Sequence, residues 1–127
     1  MTGRTTVDVM TTPIDIDQLP VVLRDFLPAH LARDPGALRA FAPDAVVTDE
    51  GRTLRGHDEI GPWLRDAGTE FTYTTDIVGA ERVDDDLPGE HWVAVLHLEG
   101  DFPGGVADLR YRFALVDGLV SGLVIAP

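Results

Sequence analysis

The sequence predicts an α+β domain in which helices come first and an antiparallel sheet follows. Three observations predict it. Before residue 67, apolar residues recur at helical spacing. After residue 71 they alternate with polar residues in successive runs. Turn-forming pairs separate those runs, the clearest being Asp117-Gly118. A chain of 127 residues suits one domain with one core.

Residues 1–16 are polar and rich in Thr and Asp, and read as a tail pinned near Ile14. The domain proper is expected over residues 17–127. A first helix is predicted over residues 17–33, capped by Asp17, with Pro20 in its first turn. Leu19, Leu23, Phe26 and His30 share its apolar face. Pro28 predicts a kink or break, because its ring blocks the helical hydrogen bond. A short second helix over 35–41 has Asp34 as cap and Pro35 at its first position. Strands 45–49 and 52–54 make a small hairpin around Glu50-Gly51. A third helix over 58–67 buries Ile60, Trp63 and Leu64 and stops at Gly68.

Strands follow at 71–83, 91–99, 106–116 and 119–126. In 106–116, Leu109, Tyr111, Phe113 and Leu115 point to one face and Asp108, Arg110 and Arg112 to the other. In 91–99, Trp92, Ala94, Leu96 and Leu98 are expected against the helices, opposite His91, Val93, Val95, His97 and Glu99. The second face is half apolar and offers a dimer surface.

Composition excludes several functions. The formal charge is −12, from 22 acids and 10 bases, and every base is arginine. That balance repels phosphate backbones and anionic membrane surfaces, so neither nucleic acid nor membrane is an expected partner. The arginine-only usage resembles that of GC-rich bacterial coding. No apolar run reaches the ~18–20 residues of a membrane span, and the N-terminus lacks the apolar core of a signal peptide, so the expected location is the cytoplasm. The absence of cysteine removes disulfides, thiolate nucleophiles and Cys-based metal sites. His57, His91 and His97 have no metal-ligand spacing; the last two lie about 20 Å apart along one strand. No phosphate loop, Ser-His-Asp order or nucleotide fingerprint is present. No metal and no organic cofactor are expected.

The hint of chemistry is Asp49, at the far end of a half-buried strand beneath a helix. It reads either as a general base in a closed pocket or as a turn acid beside Gly51. His30 reads either as a group working with Asp49 or binding a carbonyl, or as a neutral core imidazole. Trp63, Tyr73 and Tyr111 are expected to face the interior with Phe26 and Phe113. A tyrosine hydroxyl there polarises a carbonyl or is simply satisfied within the core. Asp101, in the Gly-Asp-Phe-Pro-Gly-Gly loop, is either a second carboxylate at the rim or a turn former. Arg110 and Arg112 are expected to pair with acids across the sheet or a dimer.

Phe41-Ala-Pro-Asp-Ala-Val-Val-Thr-Asp49 and Arg55-Gly-His-Asp-Glu-Ile60, with Gly100-Asp-Phe-Pro-Gly104, Leu109-Arg-Tyr-Arg-Phe113 and Val116-Asp-Gly118, resemble the nuclear transport factor 2-like superfamily, within it the SnoaL-like branch related to polyketide cyclases and ketosteroid isomerases. The resemblance implies a cone-shaped curved antiparallel sheet wrapped around the N-terminal helices, with an apolar pocket and dimerisation through the outer sheet face. It implies a small apolar or cyclic ligand. It places Asp49 where the isomerase and cyclase branches carry their general base. The expected set is Asp49, His30 and Tyr111 as catalytic residues, with Phe26, Trp63, Tyr73, Asp101 and Phe113 binding substrate. The isomerase's oxyanion tyrosine falls at Phe26 and its neutral acid near Leu109, and neither side chain donates a hydrogen bond. The Asp-Arg-Asp set of the epoxide hydrolases is not evident. The open functions are therefore a cofactor-free cyclase, isomerase or dehydratase, and a non-catalytic ligand-binding or dimerisation module.

Overall fold

The computed structural model describes residues 10–85 and 87–127. One curved, unclosed sheet holds seven strands in the order β1-β4-β5-β6-β7-β2-β3. They are β1 (Met10–Ile14), β2 (Phe41–Asp49), β3 (Arg52–Arg55), β4 (Tyr73–Asp84), β5 (Glu90–Gly100), β6 (Val106–Val116) and β7 (Leu119–Ala126). The helices are α1 (Val21–Leu31) and α2 (Gly56–Asp66), with 3-10 turns at Ile16–Gln18 and Pro35–Ala40.

Alternation sets the inner face. Tyr111, Phe113 and Leu115 of β6 and Ala94 and Leu96 of β5 are buried against Leu23, Phe26 and Leu27 of α1 and Ile60, Trp63 and Leu64 of α2. Every pairing is antiparallel except β2 with β7, where Asp49 lies opposite Ile125. Glu50 and Gly51, with φ of 51° and 76°, form the tight β2–β3 turn. Asp117 and Gly118, at 54° and 78°, repeat this between β6 and β7.

Three expectations are corrected. Residues 1–9 lie outside the described residues, but Met10–Ile14 of the expected tail is an edge strand registered on β4, from Met10 opposite Asp84 to Ile14 opposite Ala80. The first helix starts at Val21, not at Asp17: Leu19 and Pro20 are extended (ψ 149° at both) and separate it from the 3-10 turn. Pro28 does not break α1, which runs on to Leu31. Pro28 sits in the final turn on the exposed side, where water reaches the carbonyl whose donor is missing.

The outer face differs from a plain amphipathic surface. Val93 is only 3% exposed although it points outward. Arg110 of β6 reaches over β5 to hold Glu81 of β4 through two bonds, at 2.7 and 3.0 Å. Arg112 reaches Asp85 in the same way, at 2.8 Å. The arginine stems and their partners cover Val93.

Candidate functional site

Asp49 ends β2, and α2 crosses beneath it. The helix forms there because Gly56, at φ 73°, turns the chain sharply out of β3, and Glu59 accepts from the Arg55 N–H at 2.7 Å. His57 anchors the same turn with a ring nitrogen 2.9 Å from the Phe41 carbonyl. This places Trp63 on the buried side of α2, with its indole N–H donating to Asp49 Oδ2 at 3.0 Å.

The rings continue inward from Trp63. His30 of α1 stacks on Trp63 (5.6 Å, 19°) and on Phe26 (5.3 Å, 7°), so its imidazole is held between two aromatic faces. Phe26 meets Phe41 and Phe113 edge-on. His30 Nε2 lies 3.1 Å from the Tyr111 hydroxyl, while its buried Nδ1 has no protein partner. Burial and the nearby Arg33 charge lower the His30 pKa to about 4, so the imidazole is neutral at pH 7. Tyr111 is pushed well above the ordinary phenol range, by burial first and then by the Asp49 charge. Its hydroxyl is therefore a neutral donor.

The structure thus brings Asp49, Trp63, His30, Tyr111, Phe26 and Phe113 into one contiguous cluster. Tyr73 makes none of these contacts and instead accepts from the Arg33 guanidinium at 2.9 Å. Asp101 lies in an exposed loop: its carboxylate accepts from the Thr72 N–H at 2.8 Å, and its own N–H donates to the Thr72 carbonyl at 3.0 Å. Those contacts tie the loop after β5 to the segment before β4. On the outer face, exposed His97 contacts Asp108 and Glu99 at 2.6 and 2.8 Å, and both bonds raise its pKa. His91 is buried, near Asp85. No group of His, Cys, Asp and Glu able to hold a metal occurs among the described residues.

Two roles escaped the sequence reading. Trp63 was expected as an apolar wall, yet it is the donor to Asp49; its helical position, fourteen residues beyond the acid, carried no signal of that bond. Arg33 has a backbone φ of 53°, a left-handed turn that no residue pattern announced. Two surface grooves lie away from Asp49. One of about 500 Å³ runs between α1, the 3-10 turn and β4, lined by Ile16, Arg24, Leu27 and Ile77. Another of about 380 Å³ lies between α1 and the Pro35–Ala40 turn.

No family model matches the chain, and no curated protein matches it. Solved structures do. One, proposed to be a polyketide cyclase from Sinorhizobium meliloti, is 28% identical, with a TM-score of 0.75, covering 89% of this chain and 100% of that one. A nuclear transport factor 2-like protein of unknown function from Cytophaga hutchinsonii is 8% identical, with a TM-score of 0.61 over 83% of this chain and 85% of its own. The chain has the nuclear transport factor 2-like fold. A third structure of this fold is a hypothetical, ketosteroid isomerase-like protein from Catenulispora acidiphila in complex with trimethylamine. It is 16% identical, with a TM-score of 0.67 over 85% of each chain. That fold agrees with the SnoaL-like resemblance of the motifs. No described helix is long and apolar enough to cross a membrane.

Proposed function

We propose that this protein binds a small apolar or cyclic carbonyl compound and moves a proton on it by cofactor-free acid–base chemistry, with Asp49 as the base. The observation that carries this reading is the unbroken set of contacts from Asp49 through Trp63 and His30 to Tyr111. A carboxylate and a neutral phenol then flank one aromatic interior, the pairing that enolisation needs.

In the proposed step, Asp49 removes the proton next to the carbonyl. The electron pair moves into the new C=C bond, and the carbonyl π pair moves to oxygen. Tyr111 donates a hydrogen bond to that oxygen without surrendering its proton, as its raised pKa requires. Protonated Asp49 returns the proton at another carbon, or the enolate closes a ring or expels a leaving group. His30 is a positioning residue. An orphaned buried N–H costs more than an orphaned lone pair, so Nδ1 is assigned the bare lone pair and Nε2 the proton. Nε2–H then donates to Tyr111, leaving the phenol O–H for the substrate. Trp63 fixes the Asp49 carboxylate by donating to it.

The test is solvent exchange. Cyclic ketones such as 1-tetralone are incubated in D2O, and α-deuteration is followed by NMR. The native protein should accelerate exchange, and Asp49→Asn should reduce the acceleration by about 100-fold. Equal exchange by both proteins ends the assignment of Asp49 as base. The second reading, a non-catalytic binding module, is favoured by Phe26 and Leu109, which supply no oxyanion donor. It predicts saturable ketone binding with no exchange.

We also propose a homodimer through the outer sheet face. Val116 and Leu119, 47% and 36% exposed, pair beside the β6–β7 turn, and Val124, 48% exposed, lies further along β7 opposite Arg112. Light scattering that gives the monomer mass at micromolar concentration removes this proposal.

A further inference from the structure

We propose that Arg33 and Tyr73, just after α1 and at the start of β4, form a carboxylate-recognition site, so that the bound small molecule carries an anionic carboxylate. This inference deepens the small-molecule reading above and rests on it.

The first support is the company Arg33 keeps. Its Nη2 donates to the Tyr73 hydroxyl at 2.9 Å and its Nη1 to the Arg65 carbonyl at 3.5 Å, both uncharged acceptors. Among the described residues, no carboxylate lies within ion-pair distance of it, in a chain with 22 acids and 10 bases. Arg65, Arg82, Arg110 and Arg112 each have such a partner. The other described arginines without one, Arg24, Arg39, Arg52 and Arg55, are exposed and hydrated. Among the described residues, Arg33 alone combines partial burial with the lack of an ion pair; the Asp66 carboxylate, which feels its charge, is bonded to Arg65.

The second support is donor geometry. A guanidinium has five N–H groups, and the two bonds above leave the others for a ligand. Because Tyr73 accepts from Arg33, its own O–H is free to donate onward. A planar fork beside a phenol is a receptor for two carboxylate oxygens. The local backbone serves this placement. Arg33 takes a left-handed turn that brings its side chain across to β4, a conformation costly for a residue with a Cβ. Gly68 leaves the Tyr73 hydroxyl its room: a methyl group there would lie 2.9 Å from that oxygen.

The third support is location. Phe102 packs edge-on against Tyr73 at 6.3 Å and against Phe71 at 6.2 Å, giving the charged pair an apolar rim. The Arg33 charge also reaches the interior, since it acts on both His30 and Tyr111. An anion held by Arg33 would therefore lie within electrostatic range of His30 and Tyr111.

The experiment compares 2-naphthoate with 2-naphthamide, two ligands of the same shape that differ in charge, by calorimetric titration at low salt. The native protein should bind naphthoate about tenfold more tightly or better. Arg33→Met should remove that preference, and Arg33→Lys should keep part of it. Equal affinity of the native protein for the two compounds overturns the inference while leaving the binding reading intact. A preference that survives Arg33→Met overturns it as well. If neither compound binds, the small-molecule reading fails and takes the inference with it. Should Arg33→Met not fold, Tyr73→Phe carries the test: a severalfold loss of preference supports the site, and an unchanged preference overturns it.

Discussion

The indole nitrogen of Trp63 donates to the carboxylate of Asp49 at 3.0 Å, tying the middle of α2 to the end of β2. A hydrogen bond to a charged acceptor contributes about 1.5–3 kcal/mol. Trp63→Phe should therefore destabilise the fold by about 2 kcal/mol in urea unfolding at pH 7. Combined with Asp49→Asn in a double-mutant cycle, it should show a coupling of about 1 kcal/mol. Additive effects would mean that the bond adds nothing beyond packing.

His30 makes stability depend on pH. Its folded pKa of about 4 lies below the unfolded value of 6.5, so the unfolded chain takes up the proton first. Stability is complete above pH 6.5 and falls as the pH drops toward 4. The loss from this group is on the order of 3 kcal/mol. His30→Gln should remove this slope, so the wild-type-minus-variant difference should itself fall by about that amount between pH 6.5 and 4, while the contributions of shared groups such as Glu81 cancel. Parallel acid-unfolding curves between pH 6.5 and 4 would place the imidazole in water.

The two outer-face ion pairs should differ in strength. Glu81 keeps 20% of its side chain exposed, whereas Asp85 keeps 3%. Glu81→Gln is expected to cost at most about 1 kcal/mol, and less in high salt. Asp85→Asn leaves Arg112 facing a buried neutral amide and should cost about 2–3 kcal/mol. Chemical denaturation of both variants at low and high salt checks the order, and a reversed order refutes the burial argument.

Two glycines separate crowding from backbone strain. A methyl group on Gly100 would collide with the Thr72 carbonyl oxygen and the Tyr73 Cβ, with the Tyr73 Cα at 2.7 Å. Gly118 has φ of 78° but nothing within 4 Å. Gly118→Ala should cost about 1 kcal/mol and Gly100→Ala about 3 kcal/mol or more. Thermal unfolding of the pair distinguishes them, and similar melting temperatures would contradict the crowding.

The sheet was legible where two signals agreed. Strands β6 and β7 occupy the expected residues, because clean alternation flanks Asp117-Gly118. Strand β1 was hidden: Met10, Thr11, Thr12 and Pro13 are all exposed on an edge, so burial imposes no alternation on them. The start of α1 was misplaced because Pro20 serves equally in a first turn or just before one. In the site, a local motif placed Asp49, while its bond to Trp63 is made only when α2 packs on β2. Arg33 was invisible for a different reason: a left-handed φ on arginine is imposed by the surrounding chain, not by its own preference.

The parallel seam between β2 and β7 sets an order of assembly. The β2–β3 hairpin, with Asp49 at its tip, joins the rest of the sheet only through β7. Residues 41–55 precede their sheet neighbour, residues 119–126, by more than sixty positions in the chain. The candidate site closes only when residues 119–126 slot between β6 and β2. Without that strand, β2 would have no neighbour but β3, and Asp49 would stand on an open sheet edge.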